Sequence, residues 1–112
     1  MKTSFRVVAG LLAAAALIAP GLSLAETEYA LAIRNHRFEP EELVIPAGQK
    51  VRIVVTNHDQ TPEEFESDSL RREKIIPAGG RAVLFIGPLG PGAYPFVGEF
   101  NPTTAKGRLV VR

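Results

Sequence analysis

Apolar and polar positions alternate along most of the chain. "YALAIR" puts Tyr29, Leu31 and Ile33 on one side, and "KVRIVVT" does the same with Val51, Ile53 and Val55. Side chains that alternate with period two belong to strands with one buried face. "RAVLFI", "AYPFV" and "GRLVVR" continue the series, and no stretch beyond residue 25 cycles at helical period. Turn signals separate these runs: Pro46-Ala47-Gly48, Pro77-Ala78-Gly79-Gly80, Pro88 to Gly92, and Asn101-Pro102. The spacing predicts an all-β domain of about seven or eight strands, a sandwich or Greek-key barrel.

One segment echoes another. "IPAGQKVRIVV" from Ile45 resembles "IPAGGRAVLFI" from Ile76, each a Pro-Ala-Gly turn feeding an alternating strand that opens on a basic residue. Two such segments are too few for a repeat array. They read as one turn solution used twice, with Gly48 and Gly79 providing the backbone freedom.

The first 25 residues follow other rules. Lys2 and Arg6 precede the apolar run "VVAGLLAAAALIAPGL", and Ser23 and Ala25 stand where a signal peptidase requires small residues. Residues 1–25 are therefore expected to be a secretory signal peptide and residues 26–112 a single exported, periplasmic domain. Without Lys2 and Arg6, the 13 basic residues become 11 against 12 acidic ones. That balance gives no reason to expect nucleic acid or direct lipid binding. The chain has no cysteine, so this small exported domain must hold together by packing alone.

"FEPEELVIPAGQKVRIVVTNHDQTPEEFES" resembles the opening half of a cupredoxin domain, and "GPLGPGAYPFVGEFNPTTAKGRLVV" its closing half. More narrowly, "TPEEFES", "REKIIPAGG", "GPLGPGAYPF" and "GEFNPTTAKGRLVV" are similar to small Cys-less cupredoxin-like proteins. That group is associated with periplasmic ferrous-iron uptake, alongside an iron permease. The resemblance implies a cupredoxin-like Greek-key β-sandwich and an accessory role in iron transport. Its implied partners are an inner-membrane iron permease complex or a periplasmic iron-binding protein.

The resemblance also locates the four positions at which blue-copper relatives hold their metal. Here they fall on Glu63, Gly98, Asn101 and, on or near it, Ala105. A type 1 copper site needs a thiolate and two imidazoles, so type 1 copper is excluded. Acidic residues stand nearby: Glu63, Glu64, Glu66 and Asp68 in "PEEFESD", and Glu99 in the last loop. With Phe65 directed into the core, alternation turns Glu63 to the same face, where Glu99 and Asn101 are expected to meet it.

Oxygen donors suit iron or manganese, and crowded carboxylates raise one another's pKa unless a cation neutralises them. Glu63, Glu66, Asp68, Glu99 and Asn101 are therefore the candidate ligands of a partly open metal site, with His58 in "TNHDQTP" as a further donor. Acids on exposed strand faces also serve solvation and edge protection, so the two readings stand side by side. No hydrolase, phosphate-loop or metalloprotease motif is present. An iron-oxidase role rests on resemblance alone.

The first functional expectation is a cation-handling accessory protein, with iron or copper as the candidate ion. The second is a metal-free module that docks on a permease complex through the "GPLGPGAYPF" rim with Leu89 and Phe100. The third is a copper carrier using His58 and oxygen ligands. The aromatics Phe38, Phe65, Phe85, Tyr94, Phe96 and Phe100 are expected in the core.

Overall fold

The computed structural model describes residues 26–112. The signal peptide expected over residues 1–25 lies outside them. Nine strands form among the described residues: β1 (Thr27–Arg34), β2 (Arg37–Glu39), β3 (Glu42–Ile45), β4 (Val51–Asn57), β5 (Glu63–Ser67), β6 (Arg72–Ile76), β7 (Arg81–Ile86), β8 (Gly92–Gly98) and β9 (Lys106–Val111). They make two sheets, one ordered β2-β1-β4-β7 and the other β3-β9-β8-β5-β6. The pairs β1–β4 and β3–β9 are parallel, and all other pairs are antiparallel. This is the expected all-β sandwich, with nine strands instead of seven or eight.

The alternating positions meet between the sheets. Leu31, Ile33, Val51, Ile53 and Val55 face Phe65, Ile76, Phe96, Leu109 and Val111 in one core cluster. Phe38, Phe65 and Phe96 pack at its centre, with Phe38 edge-on to Phe96 at 4.9 Å between centroids. Edge-on pairs add about 0.5–1.5 kcal/mol beyond area burial. Three large aromatics thus contribute to the core stability that disulfides give other small exported domains.

Both echoed turns carry the chain from one sheet to the other. Ile45 and Ile76 are buried, Gly48 and Gly79 take φ of 73° and 66°, and β4 and β7, which follow them, pair with each other. Ile33 lies opposite Asn57 in β1–β4, and Glu63 lies opposite Ile76 in β5–β6. The turn at 35–36, the loop at 58–62, the 77–80 turn and the 98–105 loop therefore gather at one end. The candidate residues sit on this end and on the adjoining face.

Candidate functional site

Glu63 opens β5 on the same face as Phe65 and Ser67, as alternation requires, and all three are buried. Glu63 is 1% exposed. Oε1 accepts hydrogen bonds from the backbone N–H of Glu64 at 3.0 Å and of Phe100 at 2.9 Å. Oε2 accepts from Asn101 Nδ2 at 2.8 Å. The 98–105 loop closes on itself: Gly98 N–H donates to Ala105 O at 2.8 Å, and Ala105 N–H to Asn101 O at 2.9 Å.

A Cβ built on Gly98 would lie 2.6 Å from both Glu63 Cδ and Ala105 Cβ. The four positions that the resemblance aligned with copper ligands, Glu63, Gly98, Asn101 and Ala105, are therefore neighbours in space. They do not fit copper of the type 1 kind. The chain has no cysteine, and a hydrogen-bonded carboxylate already fills the space beside Gly98.

Glu66 and Glu99 meet elsewhere. Alternation puts Glu66 on the outer face, and the Glu99 N–H donates to Glu64 O at 2.8 Å, which fixes the start of the last loop against β5. With Asp68, they line a groove of about 460 Å³ whose other walls include Pro95 and Val97. The hydrogen bond to Glu99 pushes the Glu66 carboxyl up to about 7, helped by partial desolvation and by the charges of Glu99, Glu73 and Asp68. A like charge beside a carboxyl disfavours its ionisation, which is the sense of this shift.

His58 occupies a third place. Asn57, buried at the end of β4, holds the following loop by donating from Nδ2 to Thr61 O at 2.9 Å and to Ile76 O at 3.2 Å. His58 lines a shallow cavity on that loop with Asn35, His36, Asp59 and Thr61. Asp59 is occupied there: it accepts from the N–H groups of Asn35 at 2.7 Å and His36 at 2.9 Å. The imidazole nearest it is that of His36, with Nδ1 3.5 Å from Oδ2. Burial pushes the Asp59 carboxyl up. The two N–H donors and the charges of His36 and Arg34 outweigh that, so the net shift is downward.

The six candidate residues thus divide among three locations. Glu63 and Asn101 bond to each other inside, Glu66, Asp68 and Glu99 share the outer groove, and His58 lies apart. Glu99 meets Glu66 where Glu63 was expected. Among the described residues, no three His, Cys, Asp or Glu side chains converge to hold a metal ion.

The His36–Asp59 contact was not anticipated. Its only trace in the sequence is Asn35-His36 between two strands, where both residues take positive φ, 53° and 57°. Two expectations about aromatics need correction. Phe85 and Phe100 are 49% and 48% exposed because they lie on an outer sheet face and a loop. Leu89 packs against the core, so of the two residues expected on the docking rim only Phe100 stands out.

A family model of the cupredoxin-like domain matches residues 7–111. An uncharacterized protein of Rickettsia prowazekii (strain Madrid E), RP394, is 38% identical over 84 residues, spanning 75% of this chain and 67% of that protein. The fold is similar to the metal-binding domain of the Streptococcus pneumoniae D39 Cu(I)-exporting P-type ATPase CopA. There the TM-score is 0.70 at 14% identity, covering 82% of this chain and 91% of that domain. Auracyanin A, a blue copper protein of Chloroflexus aurantiacus, superimposes with a TM-score of 0.66 at 13% identity, covering 79% of this chain and all (100%) of that one.

Proposed function

The chain belongs to the cupredoxin-like domain family, and on that premise we propose that it is an exported accessory protein of iron transport. It accepts a hard cation on its outer groove and holds no type 1 copper inside. The observation that supports this is the Glu66–Glu99 pair, with Asp68 beside it in the same groove. Two carboxyls sharing a proton form a site that a divalent cation relieves by replacing that proton. Oxygen donors with open access suit iron or manganese held weakly enough to be passed on.

Export rests on the basic start, apolar run and small-residue pattern of residues 1–25. The partner, an inner-membrane iron permease complex or a periplasmic iron-binding protein, rests on the subfamily motifs from "TPEEFES" to "GEFNPTTAKGRLVV".

The test is thermal unfolding of the purified protein under anaerobic Fe(II), Mn(II) or Cu(II). A ligand that binds only the folded state raises the melting temperature as its concentration rises. Fe(II) and Mn(II) should give a rise that Glu66→Gln with Glu99→Gln abolishes. A flat response in the unaltered protein sinks the reading.

One observation favours a metal-free docking module instead. Phe100 is 48% exposed on a loop whose backbone Glu63 grips directly. A flat response to all cations together with co-purification of a membrane partner would select that function. A response to Cu(II) alone, lost on His58→Ala, would select the copper carrier.

A further inference from the structure

The family's copper position and this chain's residues disagree in a specific way. At the positions that the resemblance aligns with copper ligands, between the start of β5 and the last loop, this chain places Glu63, 1% exposed. We infer that Glu63 is an internal stand-in for the metal: its two oxygens clamp β5 to the 98–105 loop, so this end of the sandwich needs no cation and admits none.

The geometry meets the requirements of a clamp. A metal in this place would tie β5 to the loop by bonds to both. Glu63 does the same with hydrogen bonds, to the Phe100 backbone at 2.9 Å and the Asn101 side chain at 2.8 Å, while the Glu64 N–H at 3.0 Å fixes its own end. A buried carboxylate with both oxygens engaged is tolerated because the bonds are charge-assisted, about twice as strong as neutral ones. The space is also full. Glu63 Cδ and Ala105 Cβ would each lie 2.6 Å from a Cβ at position 98, so residue 98 is glycine by volume and the loop folds onto the carboxylate. This clamp is separate from the outer groove of Glu66, Asp68 and Glu99, and either can fail without the other.

The experiment is amide hydrogen exchange by NMR on the purified protein, read at the Phe100 N–H, with the Asn101 side-chain amide resonances followed alongside. In the unaltered protein Phe100 should be protected, and EDTA should not change that protection. In the Glu66→Gln, Glu99→Gln variant, which lacks the outer carboxylates, neither should stoichiometric Cu(II) or Fe(II), nor should either ion move the Asn101 resonances. Glu63→Ala should speed exchange at Phe100 by about tenfold or more, while Val51 at the opposite end keeps its protection. Should Glu63→Ala fail to fold, Glu63→Gln carries the test, since it keeps the shape and loses the charge, and an intermediate acceleration is expected. Unchanged Phe100 exchange in Glu63→Gln overturns the inference. So does loss of protection under EDTA, or a shift of the Asn101 resonances on adding metal to the Glu66→Gln, Glu99→Gln variant.

Discussion

Asn101 donates its side-chain amide to Glu63 Oε2 at 2.8 Å, joining residues 38 positions apart in the chain. The bond crosses from the first residue of β5 to the middle of the last loop, and its acceptor is buried. Asn101→Ala removes a donor from a buried charged acceptor, which costs about 1.5–3 kcal/mol. Asn101→Asp should cost more, because a second carboxylate then faces the buried first one. Urea unfolding at neutral pH, comparing midpoints at unchanged slope, checks the order.

Gly98→Ala is a separate prediction about volume. The added methyl meets Glu63 Cδ and Ala105 Cβ, each at 2.6 Å; the alanine methyl cannot turn away, and the Glu63 carboxyl is held by its hydrogen bonds to Glu64, Phe100 and Asn101. Overpacking of this kind costs about 1–3 kcal/mol. Gly90→Ala is the control, since nothing lies within 4 Å of a Cβ there. Comparable melting temperatures for the two variants would show that the space beside Glu63 is not filled.

Much of this arrangement was legible before the fold. The period-two pattern turned Glu63 inward with Phe65, and the resemblance to cupredoxins aligned Gly98, Asn101 and Ala105 with the same site. What the pattern lacked was information about loops and outer faces. Glu99 follows the last strand, where no periodicity holds. Its direction depends on its own N–H bonding to Glu64 O, a contact made across two strands.

Phe85 alternates correctly but on the exposed side of its sheet, and alternation does not say which side a second sheet covers. β2 escaped notice for a related reason. It has three residues, and its hairpin turns through Asn35-His36, both at positive φ, where glycine is the usual signal in the second place.

That hairpin depends on Asp59. The carboxylate accepts both backbone N–H groups of the turn, at 2.7 Å from Asn35 and 2.9 Å from His36, and so stabilises a conformation that histidine seldom adopts. Asp59→Ala should destabilise the protein by about 1–3 kcal/mol and release the 35–36 turn, visible as loss of protection at those two amides. The Asp59 pKa is depressed below 3.8 in the folded chain. Its contribution is therefore present above about pH 4 and is lost as pH falls through the lower folded value. Asp59→Ala should accordingly flatten the acid limb of the stability profile.

Glu66 predicts the opposite slope. Its folded pKa is raised from 4.5 to about 7 by Glu99 first, then by desolvation and the charges of Glu99, Glu73 and Asp68. Between those values the folded chain holds a proton that the unfolded chain has released, so stability must fall as pH rises. The contribution is complete below pH 4.5, declines through the interval and is gone above about pH 7. Glu99→Gln removes the like charge and still offers a hydrogen bond, so it should abolish the decline without lowering stability at pH 5. A divalent cation at pH 7.5 should do the same by taking the place of the proton. Chemical denaturation at half-unit steps from pH 4.5 to 8, for both proteins with and without Mn(II), tests the slope and the cation together. A profile that rises over that range, or one that Glu99→Gln leaves unaltered, would show that the two carboxyls do not share a proton.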